Sequence, residues 1–289
     1  MEKINLNNIS LSYETKGQGS DVLLLHGFPS SMYMWNEIKK ELIENGYRVT
    51  IVEQRGYPLS RLDNFDVLSF NIEELSKDIE ELIIKRNLDQ NLTIVGHDWG
   101  SIVAWAVTSR ENININKVVS ICGGTEFPLS TVYSNLTYEE KPHYISSFQN
   151  VKESANIIDN NLESFFRSAY RSNNQIGENV DLSLENVFIN YISESCVMNE
   201  KEIIDLIQHF DESSLDQPIA WYANIDLNSE LSSTWRKEVN TPVHFIFGEV
   251  DAAVKLNDKM RERLMSSGTN VKITAVSYTH LTLPTNLSV

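Results

Sequence analysis

The stretch LTIVGHDWGSIVAW, residues 92–105, decides the reading of this chain. It passes from strand formers to helix formers, with Asp98 at the changeover and Gly96 and Gly100 two residues to either side. A reversal this tight strains the central residue, and only glycine-sized neighbours leave room for the chain to fold back. The Asp98 side chain is therefore expected to stand clear of a sheet. It would sit at the N-terminus of a helix beginning near Trp99, where the helix dipole favours negative charge. A plain helix cap is the alternative, and the companion motifs described below make it the lesser one.

Outward from this stretch, short β-prone runs alternate with helical patterns, the signature of a mainly parallel sheet covered by helices. The runs are KINLNNISLSYET, DVLLLHG, YRVTIVEQ, LTIVGHD, KVVSICGG, TPVHFIFGE and NVKITAV. Several are apolar throughout, as strands buried on both faces must be. Ile72, Leu75, Ile79, Leu82 and Ile83 recur at spacings of three and four, which predicts an amphipathic helix with Glu73, Lys77 and Glu80 in water. From about Glu126 to Thr234 the alternation stops. Helical stretches such as LESFFRSAYRS and KEIIDLIQHF lie there between Asn, Ser and Asp clusters. The expected organisation is an α/β core over 1–125 and 235–276, with a helical cap over 126–234 covering the carboxyl ends of the strands.

Bulk properties narrow the function. With 289 residues, 41% of them hydrophobic, the chain can bury a substantial core. A formal net charge of -16 without any basic run argues against nucleic-acid binding. Cys122 and Cys196 give no disulfide framework, and MEKINLNNIS lacks the apolar core of a signal peptide. No apolar run approaches membrane-spanning length. A reduced, cytoplasmic setting is expected, with oligomeric state open. The six histidines have no acidic or cysteine partner at ligand spacing, so no metal site is predicted, and there is no glycine-rich phosphate loop. His26 and His97 are read as structural, and His244 as a satisfied strand residue.

VGHDWGS resembles the nucleophile elbow of the α/β-hydrolase superfamily, with Asp in place of the usual Ser. LLLHGFPSS, residues 23–31, is similar to its oxyanion loop, and in VHFIFGEVD the residue Asp251 matches its acid. Glu249 is the alternative acid. Together these motifs cover the chain from roughly residue 3 to residue 276. The resemblance implies the α/β-hydrolase fold and, with an aspartate nucleophile, alkyl rather than acyl chemistry. A carboxylate is already anionic and can displace a leaving group at a saturated carbon. Water then hydrolyses the resulting ester with help from a histidine base, while the Phe28 and Trp99 amides hold the oxyanion.

Epoxide hydrolases and haloalkane dehalogenases share this scheme. Tyr222 in IAWYANI and Tyr144 in PHYISSFQ resemble the two cap tyrosines that donate to an opening epoxide oxygen. At the loop position where a halide-releasing enzyme has Asn stands Phe28, and HGFP is the epoxide hydrolase form of the loop, whereas Trp99 after the nucleophile and SSMYMW after the loop resemble the halide-releasing class. The resemblance therefore implies opening of epoxides on small apolar organic substrates, with water as co-substrate and no cofactor. Haloalkane dehalogenation is the alternative, and a catalytically inactive binding protein of the same fold is a third reading.

By chain order His280 alone follows Asp251, which makes it the candidate base. Its setting, VSYTHLTLPTNLSV, resembles the in-frame translation of a sequencing-library adaptor, and neither the expected glycine before the histidine nor the helix after it is visible. Residues 277–289 are accordingly read as a foreign tail. Such a chain would form the Asp98 ester but hydrolyse it slowly or not at all.

Overall fold

The apolar runs form one sheet in the computed structural model, which describes residues 1–6, 8–88, 91–110, 112–123, 144–171, 183–190, 196–235, 239–249, 258–266, 268 and 270–276. Its strands are β1 (Glu2–Asn5), β2 (Ser10–Gly17), β3 (Ser20–Leu25), β4 (Tyr47–Glu53), β5 (Thr93–His97), β6 (Lys117–Ile121), β7 (Val243–Gly248) and β8 (Val271–Val276). They lie in the order β1-β2-β4-β3-β5-β6-β7-β8. Only the pairings of β2, with β1 and with β4, are antiparallel. The run KINLNNISLSYET, which reads as one strand, is thus a hairpin. Leu6 N–H donates to Ile9 O at 2.8 Å across its turn.

Alternation within each strand splits the core into two layers, because successive side chains point to opposite faces. Leu23, Leu25, Val52 and Ile94 pack with α2 (Ile72–Arg86) and α3 (Trp99–Arg110). Val22, Leu24, Val49 and Ile51 pack on the other face, with Ile38, Leu42 and Ile43 of α1 (Asn36–Glu44) against them. The five apolar residues that predicted α2 are all buried. Asn71 caps this helix, accepting from Glu73 N at 2.9 Å and Glu74 N at 3.1 Å. One expectation fails: Glu80 is buried, not in water. Packing of α3 on α2 brings Arg110 to Glu80 at 2.7 Å, and Asn112 takes its other oxygen at 3.1 Å.

Between β6 and β7 the described residues are mainly helical, with one antiparallel bridge between Arg171 and Cys196. They form α4 (Tyr144–Ser147), α5 (Val151–Asp159), α6 (Leu162–Ala169), a π-helical turn at Glu185–Ile189, α7 (Glu200–Asp211), α8 (Asp216–Ala223) and α9 (Ile225–Leu231). A capping box starts α7, with Asn199 and Glu202 each accepting from the other's backbone N–H. The helix α10 (Asp258–Ser266) lies between β7 and β8 in the chain. No helix among the described residues is long and apolar enough to cross a membrane.

Candidate active site

Parallel strands deliver their carboxyl ends to one place. Asp98 follows β5 with φ 53, in the left-handed region that non-glycine residues rarely occupy. Its N–H donates to Ile121 O at 2.9 Å, and its carbonyl accepts from Ser101 N at 3.0 Å, so α3 starts at once. The glycines around it are required by close contact. A Cβ at Gly96 would collide with the Gly100 carbonyl, one at Gly100 with the Leu25 carbonyl, and one at Gly27 with the Asp98 side chain. Asp98 itself is only partly buried.

The loop after β3 supplies a donor. Phe28 N–H donates to Asp98 Oδ1 at 2.8 Å, while Trp99, the first residue of α3, is buried beside it. The loop is braced from behind. Gln54 N–H donates to His26 Nε2 at 3.0 Å, and the Gln54 amide donates to His26 O. His26 Nδ1 donates to Gly27 O at 3.2 Å, so the ring is a neutral structural element, and burial lowers its pKa. His244 is satisfied by Thr274 Oγ1 at 2.8 Å.

Aromatic rings close over the carboxylate. Tyr222 packs edge-on against Trp99 at 5.1 Å, Phe28 at 5.4 Å and Phe148 at 5.0 Å. Its phenol is pushed well above the usual tyrosine range, first by burial and then by the negative field of Asp98. The neighbouring Trp99 side chain acts in the opposite sense and lowers it. Tyr144 stands one ring further out, 5.5 Å from Phe148 and 5.2 Å from Phe188, and its field also reaches Tyr222. The structure thus brings Asp98, Phe28, Trp99 and Tyr222 together, with Tyr144 behind Phe148. Asp251 and His280 lie outside the described residues, as does the foreign-tail reading of 277–289.

The sequence reading did not single out two further phenols. Tyr57 and Tyr170 are buried, and the field of Asp98 contributes to raising the pKa of each. RGYP after β4 is the only local sign of Tyr57. A third feature passed over is the fully buried Glu53, which accepts from Met32 N at 2.8 Å and pairs with His209 of α7 at 2.6 Å. Chemically the pocket offers an oriented carboxylate, one backbone donor on it, a neutral phenol above it and apolar walls. Among the described residues no group of three or more His, Cys, Asp or Glu side chains could hold a metal ion.

This is the architecture of the α/β hydrolases, and residues 22–260 match the family described as alpha/beta hydrolase fold, to which the chain belongs. Among its relatives, bifunctional epoxide hydrolase 2 of Sus scrofa is 26% identical over 233 residues, covering 76% of this chain and 40% of that protein. The AB hydrolase superfamily protein YfhM of Bacillus subtilis is 35% identical over 147 residues, covering 50% of this chain and 49% of that protein. The chain therefore spans about half or less of the length of these curated relatives. The crystal structure of epoxide hydrolase A from Mycobacterium thermoresistibile superposes with a TM-score of 0.81 at 21% identity, covering 95% of this chain and 90% of that one. Epoxide hydrolase VrEH1 from Vigna radiata gives 0.78 at 23% identity, with coverage of 95% and 90%. At that identity the likeness speaks for the fold.

Proposed function

We propose that this chain is a hydrolase that opens epoxides of small apolar organic compounds to vicinal diols through an alkyl ester on Asp98. The observation that carries the reading is the Tyr222 phenol, held between the Trp99 and Phe28 rings beside a carboxylate whose Oδ1 is already bound by Phe28 N–H. With Oδ1 so held, Oδ2 attacks a ring carbon and the C–O bond of the epoxide breaks. The departing oxygen takes the Tyr222 proton, with Tyr144 as second donor.

In the second half, a base activates water against Cγ of the ester. Oδ1 becomes the oxyanion, stabilised by the Phe28 and Trp99 amides. The Cγ–Oδ2 bond breaks, the diol leaves with Oδ2, and the oxygen of water restores the carboxylate. Overall one epoxide and one water give one diol. Asp251 and His280 fill the acid and base positions by chain order, subject to the foreign-tail reading of residues 277–289. The helices between β6 and β7 serve as the cap.

Intact-protein mass spectrometry after incubation with styrene oxide tests this reading. Wild type is expected to gain one epoxide mass on the peptide carrying residue 98, and Asp98→Asn to gain none. A persistent adduct would mark a slow second half-reaction, and rapid diol formation would mark His280 as a working base. Bromide release from a matched alkyl bromide without diol formation from the epoxide would favour the dehalogenase reading. Binding without any reaction would leave a non-catalytic member of the fold.

A further inference from the structure

The helix that presents Tyr222 is fastened to the core by a row of buried hydrogen-bonding side chains in addition to its apolar contacts, such as Trp221 on Tyr57 at 5.6 Å and on Trp99 at 5.7 Å. Gln217 exchanges two hydrogen bonds with the backbone of Leu62, accepting from its N–H at 2.9 Å and donating to its carbonyl at 2.8 Å. Trp221 Nε1 donates to Arg55 O at 3.1 Å, Asn224 Nδ2 to Val67 O at 2.6 Å, and Asn228 Oδ1 accepts from Ile72 N at 2.7 Å. All four side chains belong to residues at most 2% exposed. Their spacing, four, three and four, is that of one helical stripe running along α8 and into α9. At its start Arg61 reaches back to Ser214 O at 2.6 Å and Asp216 at 2.7 Å. Every partner on the core side lies in the segment 55–72 that follows β4. To the rest of the insertion α8 is tied by Gln149, which donates to Tyr222 O at 3.0 Å, and by Asp159, which accepts from Leu215 N at 3.0 Å.

An apolar face stabilises a helix but tolerates small slides and rotations, whereas hydrogen bonds to fixed backbone groups set both height and rotation. Tyr222 follows Trp221 directly, so whatever fixes the stripe also fixes where the phenol stands over Trp99 and Asp98. We propose that Gln217, Asn224 and Asn228 are positioning residues that register Tyr222 to the nucleophile through the core segment 55–72. This rests on the reading of Asp98 as nucleophile and Tyr222 as proton donor.

The test compares the rate of Asp98 alkylation by an epoxide, whose opening oxygen needs a proton, with that by a primary alkyl bromide of the same carbon skeleton, whose bromide leaves without one. Gln217→Leu is expected to slow the epoxide about tenfold or more, the scale of one lost hydrogen bond in the transition state, and the bromide less than twofold. Tyr222→Phe should show the same selectivity, and the double variant should be no slower than Tyr222→Phe, as residues acting through one another are non-additive. Asn228→Asp, which keeps the acceptor for Ile72 N–H, should retain wild-type selectivity. Equal slowing of both reagents, or multiplying effects in the double variant, would overturn the proposal. If Gln217→Leu does not fold, Gln217→Glu, which keeps the acceptor for Leu62 N–H and sets a carboxylate oxygen against the Leu62 carbonyl in place of the donor, carries the same comparison.

Failure of the underlying reading has a different signature, alkylation of the wild type by neither reagent. The registry is then read by hydrogen exchange. Amides of α8 and α9 should exchange at least tenfold faster in Gln217→Leu while those of β5 do not change, and unchanged exchange in α8 would overturn the proposal.

Discussion

Tyr222 and Asp98 act on one another before any substrate arrives. The carboxylate field and burial both hold the phenol in its protonated form, so its capacity to donate persists past the pH of about 10 at which a free phenol ionises. The sign follows: a raised tyrosine pKa moves the loss of the donor to more alkaline pH. The rate of ester formation on Asp98 should therefore show no alkaline decline between about pH 8 and 10. A fall in that window, seen by quenched mass spectrometry, would assign the proton to another group. Tyr222→Phe should slow ring opening by roughly 10²–10⁴-fold, the usual weight of a general acid, and leave the fold intact because the ring contacts survive. Much of this was readable in the chain. Asp98 between Gly96 and Gly100, and Phe28 after HG, are fixed by backbone geometry that local sequence dictates. Tyr57, Tyr170 and the Glu53–His209 pair are not, since Glu53 and His209 meet across 156 positions and nothing near either residue announces the other.

The elbow and the strands around it are the least tolerant elements. Gly96→Ala would drive a methyl group into the Gly100 backbone, which cannot move without displacing α3. A cost of about 1–3 kcal/mol or more is expected, read as a lowered denaturation midpoint together with slower alkylation of Asp98. Gly46→Ala is a control of another kind. Its Cβ would meet nothing within 4 Å, so only the strain of φ 83 remains. The strands were legible because those buried on both faces have largely apolar centres, VLLL in β3 and VTIV in β4. The break between β1 and β2 was passed over, although the paired Asn7 and Asn8 in LNNIS interrupt the alternation and mark a turn. Glu80 was misplaced for another reason: helical periodicity gives the face a residue occupies, but not that Arg110 of a neighbouring helix will bury that face's edge.

Taken together, the buried phenols make the molecule sensitive to alkali. Tyr57, Tyr170 and Tyr222 have raised pKa values in the folded chain, burial being the largest cause for each. In the unfolded chain they ionise near about 10. The unfolded state therefore releases protons first, and the stability contributed by neutral burial is fully present below that pH and lost above it. Phenolate absorbance from these residues should appear only together with the loss of near-ultraviolet circular dichroism. Gradual ionisation within an unchanged fold would contradict the burial described here.

The bond from Trp221 to the carbonyl of Arg55 joins residues 166 positions apart, and it has a consequence for biosynthesis. A ribosome adding about 5–20 residues per second needs roughly 6–25 s to travel from codon 98 to codon 222. Throughout that interval the nascent chain already holds the floor of the pocket in its emerging strands but has no roof. Arrest peptides placed between those codons should find the loop after β4 open to protease, and release past codon 228 should close it.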